Sequence, residues 1–267
     1  MVFWKKNSSA LPAPSFAQGA GIAFKNVTCM DSEGQRAIVS DVTCDLKAPS
    51  TAVLGLNGSG KSSLLKLVNG IYSPAFGQVL VDGVEVAGHE AAVRSRVGLL
   101  FSNPLAQLIM PTPTEDVELS LRSIIADPVE RKARALELLE SRGLGHRAHA
   151  SVYDLSGGEQ QLVALTSVLA VEPSILLLDE PTTLLDLRNR SRLIDLLGTL
   201  DQQLVISTHD LELAETCQQA IIVSNGRVIA QGAGPEMVTI YRNWCAVGFP
   251  DEETEPAGQQ SAGSKRA

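Results

Sequence analysis

Gly55-Leu56-Asn57-Gly58-Ser59-Gly60-Lys61-Ser62 combines glycines, one lysine and one hydroxyl at the spacing of a phosphate-binding loop, with Ser63 as a further candidate beside it. Its glycines let backbone N–H groups close around phosphate oxygens at a helix N-terminus. Lys61 suits the β and γ phosphates of a nucleotide, and the Ser62 hydroxyl suits the Mg2+ that bridges them. A second segment, Ile175-Leu-Leu-Leu-Asp179-Glu180, is four apolar residues ending in two acids. The acids therefore emerge at the carboxyl end of a buried strand, where sheets of this kind bind ligands. There Asp179 fits the Mg2+ shell, and Glu180 fits a general base that polarises an attacking water. In a third segment, Leu155-Ser156-Gly157-Gly158-Glu159-Gln160, a hydroxyl and glycine amides cluster ahead of the apolar run Leu162 to Leu169. It is a second candidate phosphate contact, and by itself it also reads as an ordinary serine-capped helix.

These residues need elements to hold them. Thr51-Ala-Val-Leu-Gly55 reads as a buried strand, and Leu64, Leu65, Leu67 and Val68 as the apolar face of a helix that stops at Gly70. Strand, glycine loop and helix is the context a phosphate loop requires. Runs from Ile22 to Val27, Ile38 to Leu46 and Val79 to Val86 predict an antiparallel sheet flanking the nucleotide. From Thr114 to Arg142 the pattern is helical, with Thr114 as cap and Glu115 and Asp116 in the first turn, which marks a helical subdomain at about residues 101–158. Beyond Gly158, helices alternate with buried strands at Ile175 to Leu178 and Leu204 to Ser207, as in a parallel α/β sheet. Asn225-Gly226 then marks a hairpin.

With 267 residues and 44% apolar content, the chain suits one compound domain, expected over residues 21–249 between flexible tails at 1–20 and 250–267. A net charge of -8, from 22 Lys plus Arg against 30 Asp plus Glu, argues against a broad basic surface for nucleic acid or anionic lipid. Cys29, Cys44, Cys217 and Cys245 are far apart and suggest neither a zinc site nor a disulfide framework. The first residues lack the apolar stretch of a secretory signal. No apolar run approaches the ~18 residues of a membrane-spanning helix, so a membrane role is expected to come through a partner.

The three segments in this order, with Asp186 in Thr183-Leu-Leu-Asp186 and His209 in Ile206-Ser-Thr-His209-Asp210, resemble the ATP-binding-cassette ATPases over nearly the whole folded region. The resemblance implies an α/β, P-loop NTPase cassette fold: a RecA-like parallel sheet core, an N-terminal antiparallel β subdomain and an inserted helical subdomain. It implies ATP and Mg2+ as cofactors and two chains facing head to tail, with a homodimer favoured. Ser156, Gly157, Gly158 and Glu159 of one chain would then close over the γ-phosphate held by the other. Asp186 would lie at the dimer interface, and His209 would act as the catalytic switch residue contacting the γ-phosphate.

Two positions depart from that family's pattern. After Val97-Gly-Leu-Leu-Phe101, where its members usually carry a glutamine linking Mg2+ and the attacking water, this chain has Ser102, for which a water or Gln107 is expected to substitute, slowed turnover being the other reading. Near Cys29 to Asp31, where many relatives stack an aromatic ring on adenine, there is no Tyr, Phe or Trp, and apolar packing on the base is expected instead.

The segment from Ser102 to Pro113, with Thr182 to Arg188, is similar to the ATPases of energy-coupling-factor vitamin importers, most closely the biotin-uptake branch. That likeness implies a transmembrane scaffold subunit, a separate substrate-binding membrane subunit and a place at the cytoplasmic face of the cell membrane. Biotin is the first expected substrate, with cobalt or another vitamin behind it. Leu108, Ile109 and Met110 would receive the scaffold's coupling helices, core packing being the other reading of those three. The rivals are a soluble cassette ATPase acting on DNA or ribosomes and a slow-turnover nucleotide-dependent module. The stretch between Lys61 and Leu155 lacks the sustained heptads that DNA-acting members insert there, and no nucleic-acid partner is expected.

Overall fold

The computed structural model describes residues 14–250. In chain order, β1 (Ile22–Met30) and β2 (Ala37–Leu46) pair, β3 (Ser50–Leu54) runs into α1 (Lys61–Val68), and β4 (Phe76–Val81) and β5 (Val84–Glu85) return beside β1. Together they make an antiparallel sheet ordered β2-β1-β4-β5, as expected for the N-terminal region. After α2 (Glu90–Arg94) and β6 (Val97–Leu100) come three helices, α3 (Pro113–Leu121), α4 (Pro128–Ser141) and α5 (Gly157–Leu169). The remainder alternates: β7 (Ile175–Asp179), α6 (Leu187–Leu197), β8 (Gln203–Ser207), α7 (Leu211–Thr216), β9 (Gln219–Ser224), β10 (Arg227–Ala233) and α8 (Gly234–Val247).

The second sheet is ordered β10-β9-β3-β8-β7-β6, parallel except for β10 at its edge. Its inner strands are apolar on both faces because each face covers a different core. Ala52, Leu54, Leu176, Leu178, Leu204, Ile206, Ala220 and Ile222 point into a core shared with the helices. Val53, Ile175, Leu177, Val205, Ile221 and Val223 point into a core shared with α1 and the antiparallel sheet. The period-two alternation of each strand thus divides its residues between two cores, and the sheet is the wall between them. Every residue of β7 is buried, so Asp179 at its end is held rigidly at the sheet's carboxyl edge.

Local chemistry moves three expected boundaries. The run from Val79 to Val86 is two strands, because Asp82 and Gly83 turn the chain with φ of 47° and 80°, the left-handed pair that an Asp-Gly hairpin turn adopts. The first helix of the helical region is capped by Thr112, not Thr114: Thr112 and Glu115 form a reciprocal capping box with Pro113 in the first turn. Thr114 is instead buried and donates its hydroxyl to Ala148 O at 2.7 Å. The helical stretch also breaks before Pro128, where Asp127 caps α4. At the N-terminus, residues placed in the expected 1–20 tail are docked: Ala17 N donates to Asp82 O at 2.8 Å, and the Arg96 guanidinium lies 4.8 Å from the Phe16 ring centre. The rest of the expected tails, residues 1–13 and 251–267, lies outside the described residues.

Asp116 ties the helical region together. Only 5% exposed, its carboxylate accepts from Ile109 N (3.0 Å) and Met110 N (3.3 Å) through one oxygen and from Ser167 Oγ (2.8 Å) through the other. It therefore joins α3 to α5 and to the loop before α3. Asp116→Ala leaves those donors without an acceptor and is expected to cost about 2–3 kcal/mol, read as a lower urea midpoint. Asp116→Asn keeps one acceptor and one donor and should recover most of the loss.

Candidate functional site

The loop between β3 and α1 is shaped by its glycines. Gly55 has φ of 153°, and a Cβ there would fall 2.3 Å from Val223 O. A Cβ on Gly60, at φ 109°, would fall 2.9 Å from Ile38 O. Only glycine fits at either point, and the loop accordingly lies against β2 and the β9–β10 turn. Lys61 is 6% exposed. Its Nζ donates to Gly55 O (2.8 Å) and Leu56 O (3.0 Å) and sits 3.9 Å from Glu180 Oε1. Burial lowers its pKa, against the pull of Glu180 and Asp179. An ammonium wrapped by its own loop's carbonyls is poised to exchange them for phosphate oxygens.

Ser62 Oγ donates to Asp179 Oδ1 at 2.9 Å, and Ser207 Oγ donates to the same oxygen at 2.7 Å. A hydroxyl and a carboxylate from two different elements thus converge on one point. Among the described residues no group of three His, Cys, Asp or Glu side chains could hold a metal alone. A cation here would draw its remaining oxygens from phosphate and water, which is how Mg2+ binds in nucleotide sites.

Glu180 follows β7 with φ of 49°, an uncommon conformation for a residue with a Cβ. Its backbone N donates to Ser207 O at 2.9 Å, and its Oε2 accepts from His209 N at 3.2 Å. Oε1 lies 3.2 Å from His209 Nε2 but outside hydrogen-bonding alignment, and it is buried without a donor. The Nε2 atom is closer to Asn57 Oδ1, at 2.8 Å. Burial pushes the Glu180 carboxyl above the usual range, against His209 and Lys61. Ser59 Oγ, in the phosphate loop, is likewise buried without a partner. Ser59 lies outside the cleft lining and its Oγ faces Gly55, whereas Glu180 lines a cleft of about 510 Å3 together with Asn57, Gly58, Gly60, Lys61, Ser62 and Ser63, so its orphaned Oε1 sits where a polar ligand could reach it.

Ser156, Gly157, Gly158 and Glu159 do not line that cleft. Ser156 caps α5 in a capping box whose Glu159 carboxylate accepts from Ser156 N and Oγ at 2.8 and 2.9 Å. Arg147 Nε holds the same carboxylate at 2.9 Å. Although burial raises the Glu159 pKa, these hydrogen bonds bring it below the ordinary value. Gly158 packs near Asn189 and Leu185, so the start of α5 lies against the start of α6. Asp186 caps α6, accepting from Asn189 N at 2.8 Å. Leu184 and Leu187, on either side of it, are exposed.

Some functional geometry escapes sequence reasoning. Arg190 donates to both carboxylate oxygens of Asp210 and to Glu212 Oε2, linking α6 to the residue after His209. Ser207 is a second hydroxyl on Asp179. Neither pairing carries a local signal, because each joins residues brought together only by the parallel sheet and its helices.

Gln107 does not stand in for the missing glutamine. Its Oε1 accepts from Phe101 N and its Nε2 donates to Leu99 O, both at 3.0 Å, so the amide is consumed in holding the end of β6. Ser102 is exposed and its side chain is too short to replace it. Ser102→Gln is therefore expected to raise kcat for ATP hydrolysis several-fold, and an unchanged rate in a phosphate-release assay would count against that. The segment expected to meet membrane partners divides: Leu108 is buried in the core, Met110 is partly buried, and Ile109 is 71% exposed.

The comparisons with known proteins agree with this geometry. The profile of a family described as ABC transporter matches residues 39–183. The chain is 34% identical to the biotin transport ATP-binding protein BioM of Rhizobium etli, over 86% of this chain and 98% of that protein. The fold is similar to cbiO1 of Clostridium perfringens, part of the ABC transporter complex cbiONQ, with TM-score 0.71 and 26% identity over 90% of this chain and 97% of that one. It is also similar to the ATP-binding cassette MJ0796, a dimer in a post-hydrolysis state bound to ADP and Pi, with TM-score 0.73 and 29% identity over 79% and 98% of the two chains. Among the described residues no helix is long and apolar enough to cross a membrane. By profile, by sequence and by fold, this chain belongs to the ABC transporter family, as an ATP-binding cassette whose ATPase activity is coupled to transport.

Proposed function

We propose that this chain powers import of a small vitamin or cofactor, biotin before cobalt or another vitamin, through a transmembrane scaffold and a separate substrate-binding membrane protein. The observation that carries the reading is the likeness to BioM across 98% of that relative. The likeness to cbiO1, itself part of a multi-subunit transporter, supports the same arrangement. The exposed Ile109, on a loop fixed by Asp116, offers a membrane partner an apolar contact beside polar surface. The working position is then the cytoplasmic face of the cell membrane, held there by those partners.

In this proposal the backbone amides of Gly55 to Ser63 and the Lys61 ammonium bind the phosphates of ATP. Ser62 and Asp179 would hold Mg2+, which when bound would supply positive charge beside the phosphates. Glu180 takes the proton of the attacking water, and His209, bridging Asn57 and Glu180, senses the γ-phosphate. The start of α5 points its amides, through Ser156, Gly157 and Gly158, at the nucleotide of a second copy, with Glu159 fixing that turn and Asp186 beside it at the interface. ATP binding closes the pair, and hydrolysis reopens it, moving the membrane partners.

The test is purification of the tagged chain from solubilised membranes, with uptake of labelled biotin measured in cells lacking it. Co-purification of two membrane proteins and loss of uptake are expected. A chain recovered with ribosomes or DNA and unaltered uptake would overturn the proposal.

A further inference from the structure

The phosphate loop and Glu180 build one part of the cleft. The rest is built by Arg36, Ala37, Ile38 and the Asn225-Gly226 turn, and none of the lining residues is aromatic. These segments are stitched together by backbone: Ser40 N donates to Gly226 O, and Gly226 N to Ser59 O, both at 2.8 Å. Gly60 lies directly against Ile38 and Gly226. The turn before Arg36 is equally fixed, since Asp31 N donates to Arg36 O at 2.8 Å and Gln35 N to Asp31 Oδ1 at 2.9 Å. Arg36 is thus presented from a set backbone position. Its side chain is exposed, and among the described residues its guanidinium makes no hydrogen bond or ion pair.

We propose that Arg36 is the platform on which the nucleotide base rests, its guanidinium plane stacking on the purine with Ile38 as the apolar edge. This rests on the reading of the cleft as an ATP site. With the phosphates at the start of α1, the base must leave toward the remaining lining, and the one side chain there with an uncommitted planar face is Arg36. A guanidinium is planar and weakly hydrated, so it stacks on aromatic faces where a lysine does not. Every base has such a face, and the platform therefore accepts adenine and guanine alike. At an exposed site the contact is modest, about 0.5–1 kcal/mol, equivalent to about 2- to 5-fold in affinity.

The experiment is calorimetric titration of the full chain and its Arg36→Ala and Arg36→Tyr variants with ATP, GTP and inorganic tripolyphosphate, which has phosphates but no base. Arg36→Ala is expected to weaken ATP and GTP about 2- to 5-fold and leave tripolyphosphate affinity unchanged. Arg36→Tyr, which restores a flat ring, is expected to recover both nucleotides. Unchanged ATP affinity in Arg36→Ala would overturn the platform. An equal loss for tripolyphosphate would also overturn it, because Arg36 would then be contacting phosphate. Failure of the unaltered chain to bind either ATP or tripolyphosphate would instead sink the reading of the cleft itself.

Discussion

Glu180→Gln is expected to lower ATP hydrolysis by about 10²- to 10⁴-fold, the range that a positioned general base contributes, while ATP still binds. The side chain is isosteric, so the oxygen that accepts from His209 N survives and the strained turn at φ 49° is undisturbed. What disappears is the second oxygen, Oε1, which is buried beside the cleft without a donor and is free to take a proton from water. Burial raises the Glu180 pKa, so the base is lost to protonation at a higher pH than an ordinary carboxylate would be. The rate of the unaltered chain should therefore fall on the acid side through that raised pKa, and the variant should lack this limb. Phosphate release across pH, with equilibrium binding of ATP measured alongside, checks both statements. Hydrolysis retained near the unaltered rate would remove Glu180 from the mechanism.

The second large effect concerns the two halves of the proposed site, which do not meet within one chain. Lys61→Ala removes a charged donor to the phosphates, worth about 1.5–3 kcal/mol, and is expected to weaken ATP binding about 10- to 100-fold. Gly158→Asp acts differently. The start of α5 does not line the chain's own cleft, so this variant should bind ATP as before. A carboxylate in the first turn of a helix is compatible with folding, although its Cβ presses Asn189 Nδ2 at 3.2 Å and Leu185 Cδ2 at 3.3 Å. It would place negative charge where a partner's γ-phosphate is to be received, and hydrolysis should collapse while binding does not.

The sheet strands and the phosphate loop were legible because their information is local. Four apolar residues before Asp179, glycines at positions 55, 58 and 60, and Asn225-Gly226 each state their geometry within a few residues. Asp82-Gly83 and the Thr112–Glu115 box were equally local, but an apolar run and a neighbouring threonine drew the boundaries elsewhere. Other features are written only in the tertiary arrangement. Gln107 spends its amide on Phe101 and Leu99, Arg190 reaches across to Asp210, and Arg36 comes to the cleft because Ile38 docks on Gly60. Side chains of this kind carry no periodicity, and their partners are set by packing rather than spacing. In the shared site proposed above, incomplete on one chain, the second glycine cluster comes from another copy, since on its own chain it does not line the cleft.

That incompleteness gives the most direct test. Lys61→Ala and Gly158→Asp chains are each prepared as dimers, confirmed by size, and shown to be inactive in phosphate release at an ATP concentration that fills the unaltered loop but not the Lys61→Ala loop. They are then mixed in equal amounts and allowed to exchange. Half of the dimers become mixed, and each mixed dimer contains one intact phosphate loop facing one intact α5 start, so hydrolysis should recover toward about a quarter of the unaltered rate. Exchanged dimers that remain inactive would contradict a site shared between two copies.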